Sequence, residues 1–164
     1  MAEAQYEVFS PIVLAHLCEA AIAANRHNDA LSLMAQLESR DSNPEHWCTP
    51  EILRVKGLIA LSGERNEAAA ADFFSRSAAL ARKQGALAWE LRAAMNWGKL
   101  WAAQSRESDA LDLLEPLYGR FTEGLGTADL IAARHLIDGL RSPASSRQCS
   151  VRQPPPSWTL PERA

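Results

Sequence analysis

The feature that most narrows what this chain can fold into is a register that returns every 40 residues: Ala30, Ala70 and Ala110, then Met34, Phe74 and Leu114 four positions on. Leu37, Ser77 and Leu117 complete each set three positions later. Upstream of each set stands a small residue: Cys18 after Leu17 with Ala21 following, Gly57, and Gly98 between Trp97 and Trp101. Steps of four and three put side chains on one face of a helix, and a small residue on a first helix lets a second approach closely. The pattern predicts three helical hairpins, with one extra residue in the second turn near Gly63. A single hairpin cannot bury its own apolar face, so copies of this kind are expected to stack.

Punctuation agrees with that division. Ser10-Pro11 and Thr49-Pro50 read as starts of first helices, a hydroxyl residue before a proline suited to the first helical position. Gly63 and Gly85 fall where helices should end. Arg40 to Thr49, with Asp41-Ser42-Asn43-Pro44, reads as a loop. Thr127 opens a last helix that carries Leu130, Ala133, Ile137 and Leu140 on one face. Beyond it, from Arg141, five of 24 residues are proline and the apolar residues lose helical period, which reads as a disordered Pro/Arg/Ser-rich tail. Valine and isoleucine together number only ten, a balance that disfavours sheet. The expected organisation is all-α: a lead-in over 1–9, a repeat domain over 10–140 with hairpins at about 10–39, 50–84 and 86–121, a capping helix at 127–140 and the tail at 141–164.

Several kinds of chemistry are disfavoured. The net charge of −3 hides an acidic body, with 13 Lys/Arg against 19 Asp/Glu over residues 1–140, which suits no phosphate backbone. No membrane span is expected, because the apolar stretch from Pro11 to Ala24 is short and broken by His16 and Glu19. Cys18, Cys48 and Cys149 have no disulfide or zinc spacing, and the N-terminus has no signal-like pattern, so the expected location is cytoplasmic with reduced thiols. His16/Cys18 and His46/Cys48 would make poor metal sites, since residues two apart on a helix diverge. Gly98-Lys99 lacks the upstream glycine of a phosphate loop, and no nucleophile and base fall in a catalytic order. No cofactor, metal or catalytic residue is expected. Trp89, Trp97 and Trp101 follow helical spacing and are expected in packing rather than in a ligand cage.

The register resembles that of tetratricopeptide repeats, lengthened, and implies a right-handed solenoid. Over residues 45–140 of 164 a second likeness appears. It rests on Leu53-Arg54-Val55-Lys56-Gly57, Ala81-Arg82-Lys83-Gln84-Gly85-Ala86 and Trp89-Glu90-Leu91-Arg92-Ala93-Ala94. It continues with Leu113-Leu114-Glu115-Pro116-Leu117-Tyr118, Phe121-Thr122-Glu123-Gly124 and Thr127-x-Asp129-Leu130. These resemble the C-terminal helical-repeat region of large bacterial signalling proteins, the adenylate/guanylate cyclase-like, predicted-ATPase or winged-helix regulators. The resemblance implies a repeat scaffold in which Arg54, Lys56, Trp89, Glu90 and Arg92 match the family pattern. The nucleotide-binding, cyclase and DNA-binding parts of that family have no counterpart in this sequence.

The functional expectation is a non-catalytic interaction scaffold whose first helices line a concave surface. Glu51, Arg54, Arg92, Met95, Asn96 and Lys99 are expected there, the three cations holding an acidic or C-terminal carboxylate peptide of a protein partner. An alternative is self-association, as a homodimer, or docking onto a separate ATPase or cyclase. It would use the first helix, which is apolar nearly all round; Ile12 and Leu14 are the residues expected on its exposed edge. A third reading, a small-molecule sensor, needs an apolar cavity beside Trp89, Trp97 and Trp101.

Overall fold

A computed structural model describes residues 2–40, 47–63 and 65–142, with side chains from Pro11 to Ser39 in the first stretch. Among these residues the chain is all-helical, with seven helices: α1 (Ala2–Ala23), α2 (His27–Arg40), α3 (Thr49–Ser62), α4 (Glu67–Lys83), α5 (Leu87–Ala103), α6 (Glu107–Tyr118) and α7 (Ala128–Arg141). Helices pack on their successors, α1 on α2, α3 on α4, α4 on α5, α5 on α6 and α6 on α7, and the odd-numbered helices lie side by side in the order α1, α3, α5, α7. Of the expected loop from Arg40 to Thr49, residues 41–46 lie outside the described residues, as does the tail beyond Ser142, while Arg40 closes α2 and Thr49 opens α3.

Every anchor of the 40-residue register is buried. Ala30, Ala70 and Ala110 are fully enclosed, and Met34, Phe74 and Leu114 fill the space beside them. The small residues explain the closeness of each pair. A Cβ added to Gly57 would sit 2.4 Å from the Phe74 ring, and one at Gly98 would sit 2.9 Å from Leu114. In the first hairpin the Cys18 thiol takes this place, 3.6 Å from the Ala30 carbonyl. Ser77, the polar member of its set, donates to the Pro50 carbonyl at 2.6 Å, so its hydroxyl is satisfied inside the core.

The same interval governs the turns. Asn25, Arg65 and Ser105 each adopt a left-handed conformation, with φ of 58°, 50° and 58°. The amide after each reaches back to the preceding helix, Arg26 to Ala21, Asn66 to Ala60 and Arg106 to Trp101. Such bonds satisfy carbonyls that a helix end leaves open. The longer step at Asn66 is the extra residue in the second turn.

Two boundaries differ from expectation. α1 runs through Ser10-Pro11, with Pro11 inside it, so that proline does not mark a start. α3 is capped by Cys48 without a side-chain bond; Thr49 is its first residue and its hydroxyl has no partner. Gly85 does take the left-handed position just past α4, at φ 70°.

Candidate functional site

Four charged side chains meet where α1, α3 and α5 run together. Glu51 and Arg54 stand one turn apart on α3 and are almost wholly buried, at 1% and 3% exposure. Arg54 Nε donates to Glu51 Oε2 at 2.9 Å, and its Nη2 to Glu51 Oε1 at 2.8 Å. The same guanidinium donates to both oxygens of Glu19 from α1, at 3.0 and 2.6 Å. From α5, Arg92 donates to Glu51 at 2.6 Å and to Glu19 at 3.4 Å. Its Nε lies 3.8 Å from Asp129 on α7, so the chain of charges touches all four odd-numbered helices.

The two carboxylates hold the Arg54 guanidinium firmly in its charged form, against the burial that opposes it. Burial alone would push the Glu19 carboxyl up; the Arg54 hydrogen bonds, with the charges of Arg54, Arg92 and His16, outweigh it and hold the group below the usual range.

This arrangement corrects the expected binding surface. Arg54 and Arg92 are engaged by acids of their own chain, and Glu51 lies beneath them. A peptide carboxylate arriving here would have to displace bonds that are already made. Met95 is also misplaced by the sequence reading: it is 7% exposed and belongs to the core shared by α5, α6 and α7. Of the six expected residues, Asn96 and Lys99 alone reach an open site. They line a cavity of about 320 Å³ with Leu58, Leu61, Arg65, Glu67, Leu100 and Ala103, between α3 and α5.

Glu19 was not singled out from the sequence, though a signal existed. It is the sole carboxylate in the apolar run from Pro11 to Ala24, and a lone acid in such a helix needs a buried partner. Glu90, named from the resemblance, is 1% exposed and tied to Arg82 at 2.7 Å and Arg120 at 3.0 Å, a strut between α4, α5 and the end of α6. Lys56 pairs with Glu38 at 2.6 Å.

The first helix also needs correction. Leu14 is in the core at 9% exposure and Ile12 packs against it, whereas Val13 and Leu17 are 54% and 48% exposed. Leu31 of α2 is 46% exposed. The exposed apolar positions of α1 are thus Val13 and Leu17, one turn apart, and not Ile12 and Leu14.

Among the described residues the tryptophans form no common cage. Trp89 stacks on Trp47 at 5.6 Å between ring centres, Trp97 leans on Trp101 at 4.6 Å, and Arg106 covers Trp101 at 4.8 Å. None of the three expected cage residues lines the α3/α5 cavity. Cys18 and Cys48 are buried and outside any disulfide, and burial pushes the Cys18 thiol up, which keeps it protonated. His16 is exposed and bonds the Ile12 carbonyl at 2.7 Å, on a different side of α1 from the buried Cys18. Among the described residues no group of three metal-ligating side chains converges, and no helix is long and apolar enough to cross a membrane. Comparison with protein-family models, curated proteins and solved structures finds no match to this chain.

Proposed function

We propose that this chain is a non-catalytic, cytoplasmic protein-binding scaffold of tetratricopeptide-like hairpins wound as a right-handed solenoid, a regulatory module of a bacterial signalling system. The observation that carries this reading is the coincidence of three periods at 40 residues: the enclosed alanines, the large side chains packed beside them and the left-handed turn residues. Stacked hairpins of that sort produce one extended face from their first helices, and such faces serve to bind other polypeptides. The landing place on that face is the α3/α5 cavity with Asn96 and Lys99, since the charges nearer α1 are already paired.

Capture of partners from a native lysate, comparing wild type with Lys99→Glu, tests the scaffold reading. Lys99 is exposed, so the substitution leaves the helical spectrum unchanged. A partner held by the wild type and lost from the variant is the expected result. Equal capture by both proteins counts against the α3/α5 landing place, and no specific partner with either protein counts against the scaffold.

The exposed side of α1 favours a second reading, in which the chain pairs with a copy of itself or docks on a separate ATPase or cyclase. Val13 and Leu17, one turn apart on α1, are half exposed, apolar side chains poorly left in water. Light scattering is expected to show dimers that dissociate in Val13→Glu/Leu17→Glu with helicity retained. Wild type that stays monomeric up to millimolar concentration removes self-association.

A further inference from the structure

The α3/α5 cavity differs from the rest of the odd-helix face in that its cations are unclaimed. Arg54, Arg92 and Lys56 all sit in ion pairs. Arg65 and Lys99 line the cavity, are exposed, and have no ion-pair partner among the described residues. The third charged group there, Glu67, accepts from Gln104 Nε2 at 2.7 Å. The rest of the lining is largely apolar, with Leu58, Leu61, Leu100 and Ala103. In its wall the Asn96 side-chain nitrogen is buried and has no acceptor.

From this combination we infer that the cavity binds an acidic peptide segment of a partner, seating one leucine-sized side chain between α3 and α5 while flanking Glu or Asp carboxylates meet Arg65 and Lys99. The inference rests on the scaffold reading and specifies its ligand. Charge complementarity selects the occupant: the rim carries two free cations and one hydrogen-bonded acid. Size and openness bear on it too, because about 320 Å³ holds a side chain, not a folded element, and the cavity is open enough for the chain to continue outward. The turn supplies one of the two cations. Arg65 is the left-handed residue of the second hairpin, held there by the Asn66 amide bond to Ala60, so the fold fixes its backbone beside the mouth.

The test uses labelled peptides, acetylated and amidated at their ends, and fluorescence anisotropy with the whole chain. Glu-Glu-Leu-Glu-Glu is expected to bind, and to bind more weakly as salt is raised. Replacing its acids by glutamine, or its leucine by alanine, weakens binding about tenfold. Exposed charge pairs are each worth a few-fold, so Arg65→Ala and Lys99→Ala weaken it about threefold singly and about tenfold together. Both positions are exposed, and circular dichroism of the variants verifies that they fold.

The assignment is overturned by equal binding of the glutamine peptide, by variants that bind as the wild type does, or by no binding at millimolar peptide. An uncharged peptide with a free C-terminus that binds as tightly as the acidic probe also overturns it, since the site would then read a chain terminus. If the peptides fail while lysate capture still depends on Lys99, the scaffold reading stands and the acidic ligand falls. If capture fails as well, both fall.

Discussion

Arg54→Met destabilises this protein by about 3 kcal/mol, and Arg54→Glu leaves it unfolded at neutral pH. Removing one member of a buried ion pair costs about 3–5 kcal/mol, because the partner is left charged in a medium that cannot solvate it. The lower figure applies to the methionine variant, since Arg92 still bonds Glu51 at 2.6 Å and Glu19 retains 35% exposure to water. Charge reversal adds a third carboxylate beside the other two, with Arg92 alone to answer them. A domain of this size has about 5–15 kcal/mol in total, so the larger insult is enough. Urea unfolding followed by circular dichroism measures the first, and the absence of a cooperative transition reports the second.

Acid supplies an independent readout of the same contact. Glu19 is held below its ordinary value, so its share of stability is present above about pH 4.3 and disappears as the pH falls through the lower, folded-state value. With Arg54 gone, the hydrogen bonds that lower it are gone too. The methionine variant therefore loses less stability than wild type as the solution is taken from pH 5 toward about pH 3. A variant as stable as wild type at neutral pH would sink the claim that this cluster supports the packing of α1 on α3.

These contacts also show what the sequence could and could not disclose. Local steps of three and four, repeated at intervals of 40, are geometric demands of two helices packing, and they are visible because a small residue must face a large one. Within the charge cluster only Glu51 and Arg54 are neighbours, three apart on α3; the other partners are distant along the chain, Arg54 lying 35 residues from Glu19 and Arg92 73 residues from it. No periodicity links such positions, so Arg54 and Arg92 looked like free cations on one face. Ile12 and Leu14 fail for another reason. A helix that is apolar around its circumference offers no polar side against which to set its rotation, and an error of one residue turns it by about 100°. Ser77 shows the limit from the opposite direction, since a hydroxyl in an apolar set is legible only once the Pro50 carbonyl is found facing it.

Phe74→Ala is expected to cost about 3–5 kcal/mol, the ordinary toll for emptying a fully buried aromatic site, and its interaction with Gly57→Ala is the more informative quantity. Alone, Gly57→Ala gains about 1 kcal/mol of helix propensity. Against that, its methyl would lie 2.4 Å from the ring, where carbon contacts prefer about 3.5–4.0 Å. Phe74 is enclosed on all sides, so relief requires α3 and α4 to separate, at a cost of about 1–3 kcal/mol. The single glycine variant is therefore destabilised by up to about 2 kcal/mol net. In the double variant the methyl has space vacated by the ring, and the propensity gain survives while the clash does not. The two changes together should cost less than their sum by about 1–3 kcal/mol, the size of the clash, measured by urea unfolding of all four proteins. Gly98→Ala provides the internal comparison. Its methyl would meet the end of the Leu114 side chain at 2.9 Å, an atom that can rotate aside, so the change is nearly neutral. If Gly57→Ala were equally harmless, or the double variant strictly additive, the close approach of α3 and α4 would not depend on that glycine. The first hairpin indicates why the dependence is expected to be strong in one copy and mild in the others. There Met34 faces Cys18, a flexible side chain against a small one, whereas the second hairpin sets a rigid ring against a bare backbone.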